Sequence, residues 1–264
     1  MSIPPSCRSV GPQCRALAVT LRVAGLEAGD PKSGDHEATW LLGHTERLRF
    51  GQLERRGTAL FVDATIGIPC RYASVSGSEV QCQAHGFGGS VRMAGEAPQP
   101  RWQGPDEAIL VEGGVPQTVR LPPARPPGPA SLPVVQDNPC ATARCRTADN
   151  RLGAACCRDL QLTILCDASD QALESLVRSR KPPLLCKVER EDETALGVEI
   201  ISACGYLNDD AVCSLHGRDR PDGRSAKPDL CFDWPGAGDH YHSGCAFKPK
   251  IIDNAHSHNA LHEV

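Results

Sequence analysis

The chain has 264 residues with 14 Cys, 22 Pro and 25 Gly but only 5 Phe, 3 Tyr and 3 Trp, so aromatic burial supplies little of what holds it together. A hydrophobic share of 40% and a charged share of 23% exclude a wholly disordered chain. The net charge of -4 gives no global reason to expect nucleic acid as a partner, and no apolar run reaches the roughly 18 residues a membrane helix needs.

Residues 1–7 carry neither the basic nor the apolar region of a secretory signal. The expected compartment is the cytoplasm, where thiols stay reduced and serve as metal ligands or redox groups. Residues 18–23 alternate apolar and polar, 59–66 follow a glycine-containing turn, and 108–111 lead through Gly113 and Gly114 to 117–121. Short strands parted by glycine turns predict a small β-rich domain over residues 1–121. Residues 122–134 hold six prolines and read as an interdomain linker.

Beyond the linker, residues 135–250 predict a second, cysteine-cluster domain, followed by a polar tail at 251–264. Cys166 sits behind an apolar run and is expected in a core. Leu173, Leu176 and Val177 fall at i, i+3 and i+4 behind the candidate caps Asp167 and Ser169, so 169–180 predicts an amphipathic helix stopped by Pro182 and Pro183. Residues 187–190 and 198–201 flank an acidic turn and predict a hairpin. The expected class is α+β, a small β-rich N-terminal domain plus a metal-stabilised C-terminal domain.

Ten of the fourteen cysteines fall between Cys140 and Cys245. Thiolates are soft anionic ligands for zinc or iron, and four that converge can supply folding free energy through the metal. The vicinal pair Cys156-Cys157 points to opposite faces if extended and converges if it lies in a tight turn after Gly153.

Cys140, Cys145 and the Ala-Cys-Cys-Arg-Asp-Leu run at 155–160 open a longer pattern. Cys204-Gly-Tyr-Leu, Cys213-Ser-Leu-His, Arg220-Pro221 and Cys231-Phe-Asp-Trp-Pro continue it. Over residues 139–234 this resembles the YkgJ-type cysteine-cluster family, described as zinc- or iron-chelating. The resemblance implies a metal ligand set of Cys140, Cys145, Cys156, Cys157, Cys204, Cys213 and Cys231, with a zinc or iron ion as cofactor and metal as the partner; the charge balance and the lack of a long apolar run are what speak against nucleic acid and membrane. Cys186, Cys245 and His216 are further candidate ligands outside that pattern. His240 and His242 sit beside Cys245, and the histidines of the tail read as solvated.

In the N-terminal half, Cys70-Arg-Tyr72 precedes Cys82-Gln-Ala-His85-Gly86. Residues 70–86 are similar to the ligand loops of Rieske iron-sulfur domains, with Tyr72 where that pattern has its first histidine. Cys70, Cys82 and His85 could hold zinc with His44 as a fourth ligand; the alternative is a β-turn with two buried cysteines and one polar histidine. Cys7 and Cys14 are expected to be bystanders. No phosphate loop or nucleophile elbow is present, so no catalytic residue emerges. The functional expectation is metal chelation, and the alternative is an iron-sulfur oxidoreductase or electron-transfer protein with a modified Rieske-like N-terminal domain. If metal supplies stability, chelation is expected to unfold the C-terminal half first.

Overall fold

Alternation of apolar side chains decides the main sheet. In the computed structural model, which describes residues 7, 9–23, 31–44, 46–57, 59–91, 106–123, 143–209, 211–233 and 244–246, strand β1 (Leu17–Val23) buries Leu17, Val19, Leu21 and Val23 on one face. Strand β3 (Ala59–Ile66) does the same with Leu60, Val62, Ala64 and Ile66, and pairs antiparallel with β1 from Leu17↔Ile66 to Val23↔Leu60. Its other neighbour is β2 (Leu48–Arg56).

A three-stranded sheet of β4 (Ala73–Ser76), β5 (Glu79–Cys82) and β6 (Gly88–Ser90) follows. Strands β7 (Glu107–Glu112) and β8 (Val115–Arg120) form a hairpin turned by Gly113 and Gly114, whose φ angles of 59° and 80° are the left-handed values such a two-residue turn requires. After residue 143 come β9 (Asp159–Leu165), β10 (Leu185–Asp192) and β11 (Ala195–Ile201).

The largest sheet has six strands in the order β10-β11-β9-β1-β3-β2, each pair antiparallel. Strand β9 joins β1 through Leu21↔Ile164 and Arg22↔Thr163. The segment 122–134, expected as a linker, therefore lies in sequence between strands that share one sheet; all but its first two residues fall outside the described residues. Leu160, Leu162, Ile164, Leu196, Val198 and Ile200 continue the apolar face of β1 and β3 into a single core, and Cys166 packs in it as expected.

The helices are few and short. Helix α1 (Pro31–Leu42) packs against β7 and the main sheet, α2 (Ala155–Arg158) and α4 (Asp229–Asp233) are one turn each, and α3 (Gln171–Arg178) fills the predicted amphipathic position. The cap of α3 is Asp170, whose Oδ1 accepts from Leu173 N at 2.9 Å, while Asp167 instead closes the preceding turn onto Ser169.

The α+β expectation is corrected: the protein is mostly β, built of antiparallel sheets. The reason lies in the apolar run at 160–165. Its alternating Leu160, Leu162 and Ile164 form a central strand, so this strand and the expected hairpin β10-β11 extend the N-terminal sheet, and the single expected helix does not balance them. Helix α1 went unpredicted, since only Ala38, Leu41 and Leu42 carry its buried stripe amid polar residues. Among the described residues no helix is long and apolar enough to cross a membrane.

Candidate metal centre

The cysteine-bearing turns lie beside the end of α1. Gly153 and Ala154 both adopt left-handed backbone angles, φ 82° and 50°, and swing the chain into α2. The Cys156-Cys157 pair thus sits on a helical turn, with side chains about 100° apart rather than on opposite faces. The carbonyl of Cys157 accepts from Cys204 N at 2.7 Å, which locks α2 to the next cysteine turn. Leu207 N closes that turn onto the Cys204 carbonyl at 3.0 Å, and Leu207 bridges to Cys213. Tyr206, Leu215, Ala226, Ala108 and Leu121 form a second small core behind these turns, with Cys204 and Cys213 packed against it.

These turns enclose a cavity of about 70 Å³ lined by Cys156, Cys157, Cys204, Cys213, Cys231 and His44. Five of the seven cysteines implied by the family resemblance therefore share one wall-to-wall space. Its volume suits an ion with a few small ligands and is well below the hundreds of Å³ that small-molecule sites occupy. A wider groove of about 470 Å³, whose lining includes Glu37, Glu189, Glu191 and Glu199, reaches Cys156 and Cys231 from outside.

His44 was assigned by sequence to the N-terminal cysteines, and the structure places it here instead. The residue is fully buried, 0% exposed, just past the end of α1. Its Nδ1 lies 3.0 Å from the Trp40 carbonyl, so Nδ1 carries the hydrogen and donates. Burial holds the imidazole neutral, lowering its pKa to about 4, with the Trp40 and Cys156 carbonyls opposing that shift. Nε2 is then a buried lone pair with no hydrogen-bond partner.

Burial also pushes the Cys204 thiol up to about 12 and raises Cys213 and Cys231. Neighbouring thiols add to the rise at Cys204 and Cys231, while Lys227 on the cavity wall pulls Cys213 and Cys231 back down. A bound cation reverses this logic, because it stabilises the thiolate directly.

The remaining candidates divide. Cys145, a free thiol 6% exposed, interacts with the free thiol of Cys245, and its Sγ accepts from Ala246 N at 3.2 Å. It feels Cys156 electrostatically without lining the cavity. Cys140 lies outside the described residues, as do His240, His242 and the tail. Cys186 is exposed, its Sγ donates to the Pro183 carbonyl at 3.1 Å, and it does not join Cys204, Cys213 and Cys231. His216 stays in the turn after Cys213, its N–H bonded to the Cys213 carbonyl at 3.0 Å, outside the cavity lining.

No family model, curated protein or solved structure matches the chain.

Among the described residues, no three or more of His, Cys, Asp and Glu stand at metal-coordination spacing. Five cysteines and His44 line this small cavity, and the donor types, thiols and a neutral imidazole whose Nε2 has no hydrogen-bond partner, are those a soft cation takes.

Proposed function

We propose that the protein binds zinc or iron at this cavity, with Cys156, Cys204, Cys213 and Cys231 as the principal thiolates, His44 Nε2 as a nitrogen donor and Cys157 beside them. The observation that carries the reading is the gathering of five cysteines and one partnerless buried imidazole nitrogen around one small space. The YkgJ-type resemblance supports the cysteines; His44 lies outside the residues that carry that resemblance.

A cation entering along the wider groove would meet Cys156 and Cys231 first. Binding converts thiols to thiolates and releases their protons, so affinity rises with pH. The Trp40 carbonyl holds the His44 ring through Nδ1 and leaves Nε2 for a ligand, a hydrogen-bonded arrangement that metal-ligating histidines commonly use.

The test is anaerobic purification under reductant, followed by elemental analysis, an absorption spectrum and residue-resolved thiol alkylation. Expected are bound zinc or iron and slow alkylation of the cavity cysteines, accelerated by a chelator. Folded, metal-free protein whose cavity thiols react equally with and without added zinc would sink the reading. Visible absorption that bleaches on reduction would assign the iron to an iron-sulfur cluster.

A further inference from the structure

Two cysteines outside the cavity are brought together by backbone. Arg146 N donates to the Gly244 carbonyl at 2.9 Å, and Ala246 N donates to Cys145 Sγ at 3.2 Å. With 146 opposite 244 and 145 beside 246, the two segments run antiparallel and set Cys145 opposite Cys245. Directly opposed residues of antiparallel segments carry Cα atoms about 4.5–5.5 Å apart, inside the span of about 4.4–6.8 Å that a disulfide bridges. Two covalent bonds join Ala246 N to the Cys245 Cα, so Cys145 Sγ lies within about 6 Å of that atom. The approach is tight: a Cβ on Gly244 would run into the Arg146 carbonyl oxygen, so only glycine fits there. Both thiols are free, and they interact.

In the N-terminal half the sulfur contact is local: Cys82 Sγ meets His85 Nδ1 at 3.3 Å within one turn, and His44, read from the sequence as their partner, lies at the cavity instead. Cys145 and Cys245 join segments far apart in the chain, and neither lines the cavity. Cys145 is 6% exposed and Cys245 half-buried, so Cys245 is the thiol a reagent meets first. The Cys145 carbonyl accepts from Gly153 N at 2.8 Å, and Gly153 opens the turn into α2 and Cys156. A bond between Cys145 and Cys245 would therefore fasten 244–246 to the back of that turn.

We propose that Cys145 and Cys245 form a redox modification site, a thiol pair that a small disulfide such as oxidised glutathione closes to a disulfide and an excess of thiol reopens. The Cys245 thiolate attacks one glutathione sulfur, forming a mixed disulfide and releasing one glutathione thiolate. The Cys145 thiolate then attacks the Cys245 sulfur, forming the Cys145–Cys245 bond and releasing the second. The two protein thiols lose two electrons and two protons, and oxidised glutathione takes them up as two molecules of reduced glutathione. No metal takes part, so this inference does not rest on metal binding at the cavity.

The test exposes the full-length protein to graded ratios of oxidised to reduced glutathione, with and without zinc, then alkylates the remaining thiols in denaturant and maps linked peptides by mass spectrometry. Expected with and without zinc are a peptide joining Cys145 to Cys245 and the loss of alkylation at both residues, restored by dithiothreitol. Full alkylation of both at every ratio, or linkage of either to another cysteine, overturns the proposal. So does zinc that blocks the link, because it would make these two cysteines ligands. Cys145→Ser should leave a stable glutathione adduct on Cys245, and an unmodified Cys245 there would count against it. Cys245→Ser, which serves equally if Cys145→Ser fails to fold, should leave Cys145 fully alkylatable. Loss of the Cys145 thiol in that variant would show that it oxidises without its partner, which also overturns the pair.

Discussion

His44 and Trp40 are joined by a single hydrogen bond, Nδ1–H to carbonyl at 3.0 Å, with the two rings packed edge to face at a centroid distance of 4.5 Å. That bond fixes both the tautomer and the ring plane, so the free lone pair of Nε2 is a consequence of how α1 ends. His44→Ala is expected to weaken metal binding at the cavity by about tenfold or more, the scale seen when groups that support a metal site are lost. A cobalt-substituted protein should show shifted visible bands in the variant, since a nitrogen donor has been replaced. Unaltered affinity and bands would remove His44 from the ligand set.

The pH dependence of that binding has a definite sign. Cys204 is pushed up to about 12 by burial, and Cys213 and Cys231 are raised in the same direction. A cation must displace these protons, so apparent affinity should climb as pH rises through the neutral range and on toward the thiol values. His44, held near 4, is neutral throughout that range and contributes nothing to the slope. Chelator competition at pH 6, 7 and 8 measures it, and a flat profile would argue against thiolate ligation.

The cysteine turns were legible because cysteines recur there at short spacing, and Cys156, Cys157, Cys204, Cys213 and Cys231 line one cavity. His44 was noticed but given the wrong company, because one residue type at the end of an unrecognised helix fits several sites equally well. The hairpin 185–201 and helix 171–178 were read from periodicity, a local property. That β9 would lie beside β1, uniting both halves, depends on which strand edges find each other, and periodicity is silent on that.

The shared sheet changes what chelation should do. With β9, β10 and β11 continuous with β1, β3 and β2, the C-terminal half has no separate sheet to lose. Metal removal is expected to loosen the turns around Cys204 and Cys231 while amides of β1, β3, β9 and β11 keep a common level of hydrogen-exchange protection. Leu196→Ala, at a 0% exposed position in the core, should cost about 2–5 kcal/mol and lower the protection of β3 along with that of β11. Loss confined to β9, β10 and β11 would show two independent units.

Tyr206 couples the cavity to the β7-β8 hairpin. Its hydroxyl accepts from Ile109 N at 2.9 Å in a buried setting, and its ring lies 3.2 Å from where a Cβ on Gly43 would stand. Asp35 of α1 holds the other end of the hairpin, accepting from the N–H groups of Gly113 and Gly114 at 2.7 and 2.9 Å. Tyr206→Phe keeps the ring and strands the Ile109 N–H, which should cost about 1–3 kcal/mol. Gly43→Ala is expected to push the ring away from α1 and displace His44 with it. Thermal unfolding reads the first effect and metal affinity the second; a Gly43→Ala protein with wild-type affinity would show that the ring contact does not position His44.

A carboxylate outside the cysteine cavity gives the acid limit. Glu174 on α3 pairs with Arg190 and with Arg178, and their hydrogen bonds hold its carboxyl below the usual glutamate value. A group depressed in the folded state favours folding fully above its unfolded pKa, about 4.3, and loses that contribution as pH falls through the lower folded value. The stability difference between wild type and Glu174→Gln should therefore be constant from pH 8 to about 5 and shrink between about 5 and 3. Arg190 also donates from Nη1 to the Cys166 carbonyl at 2.9 Å, so this triad ties α3 to the strand that joins the two halves. Denaturant midpoints at pH 7, 5, 4 and 3 decide it: a difference that persists unchanged at pH 3 would mean that the substitution acts through packing and not through the Glu174 charge.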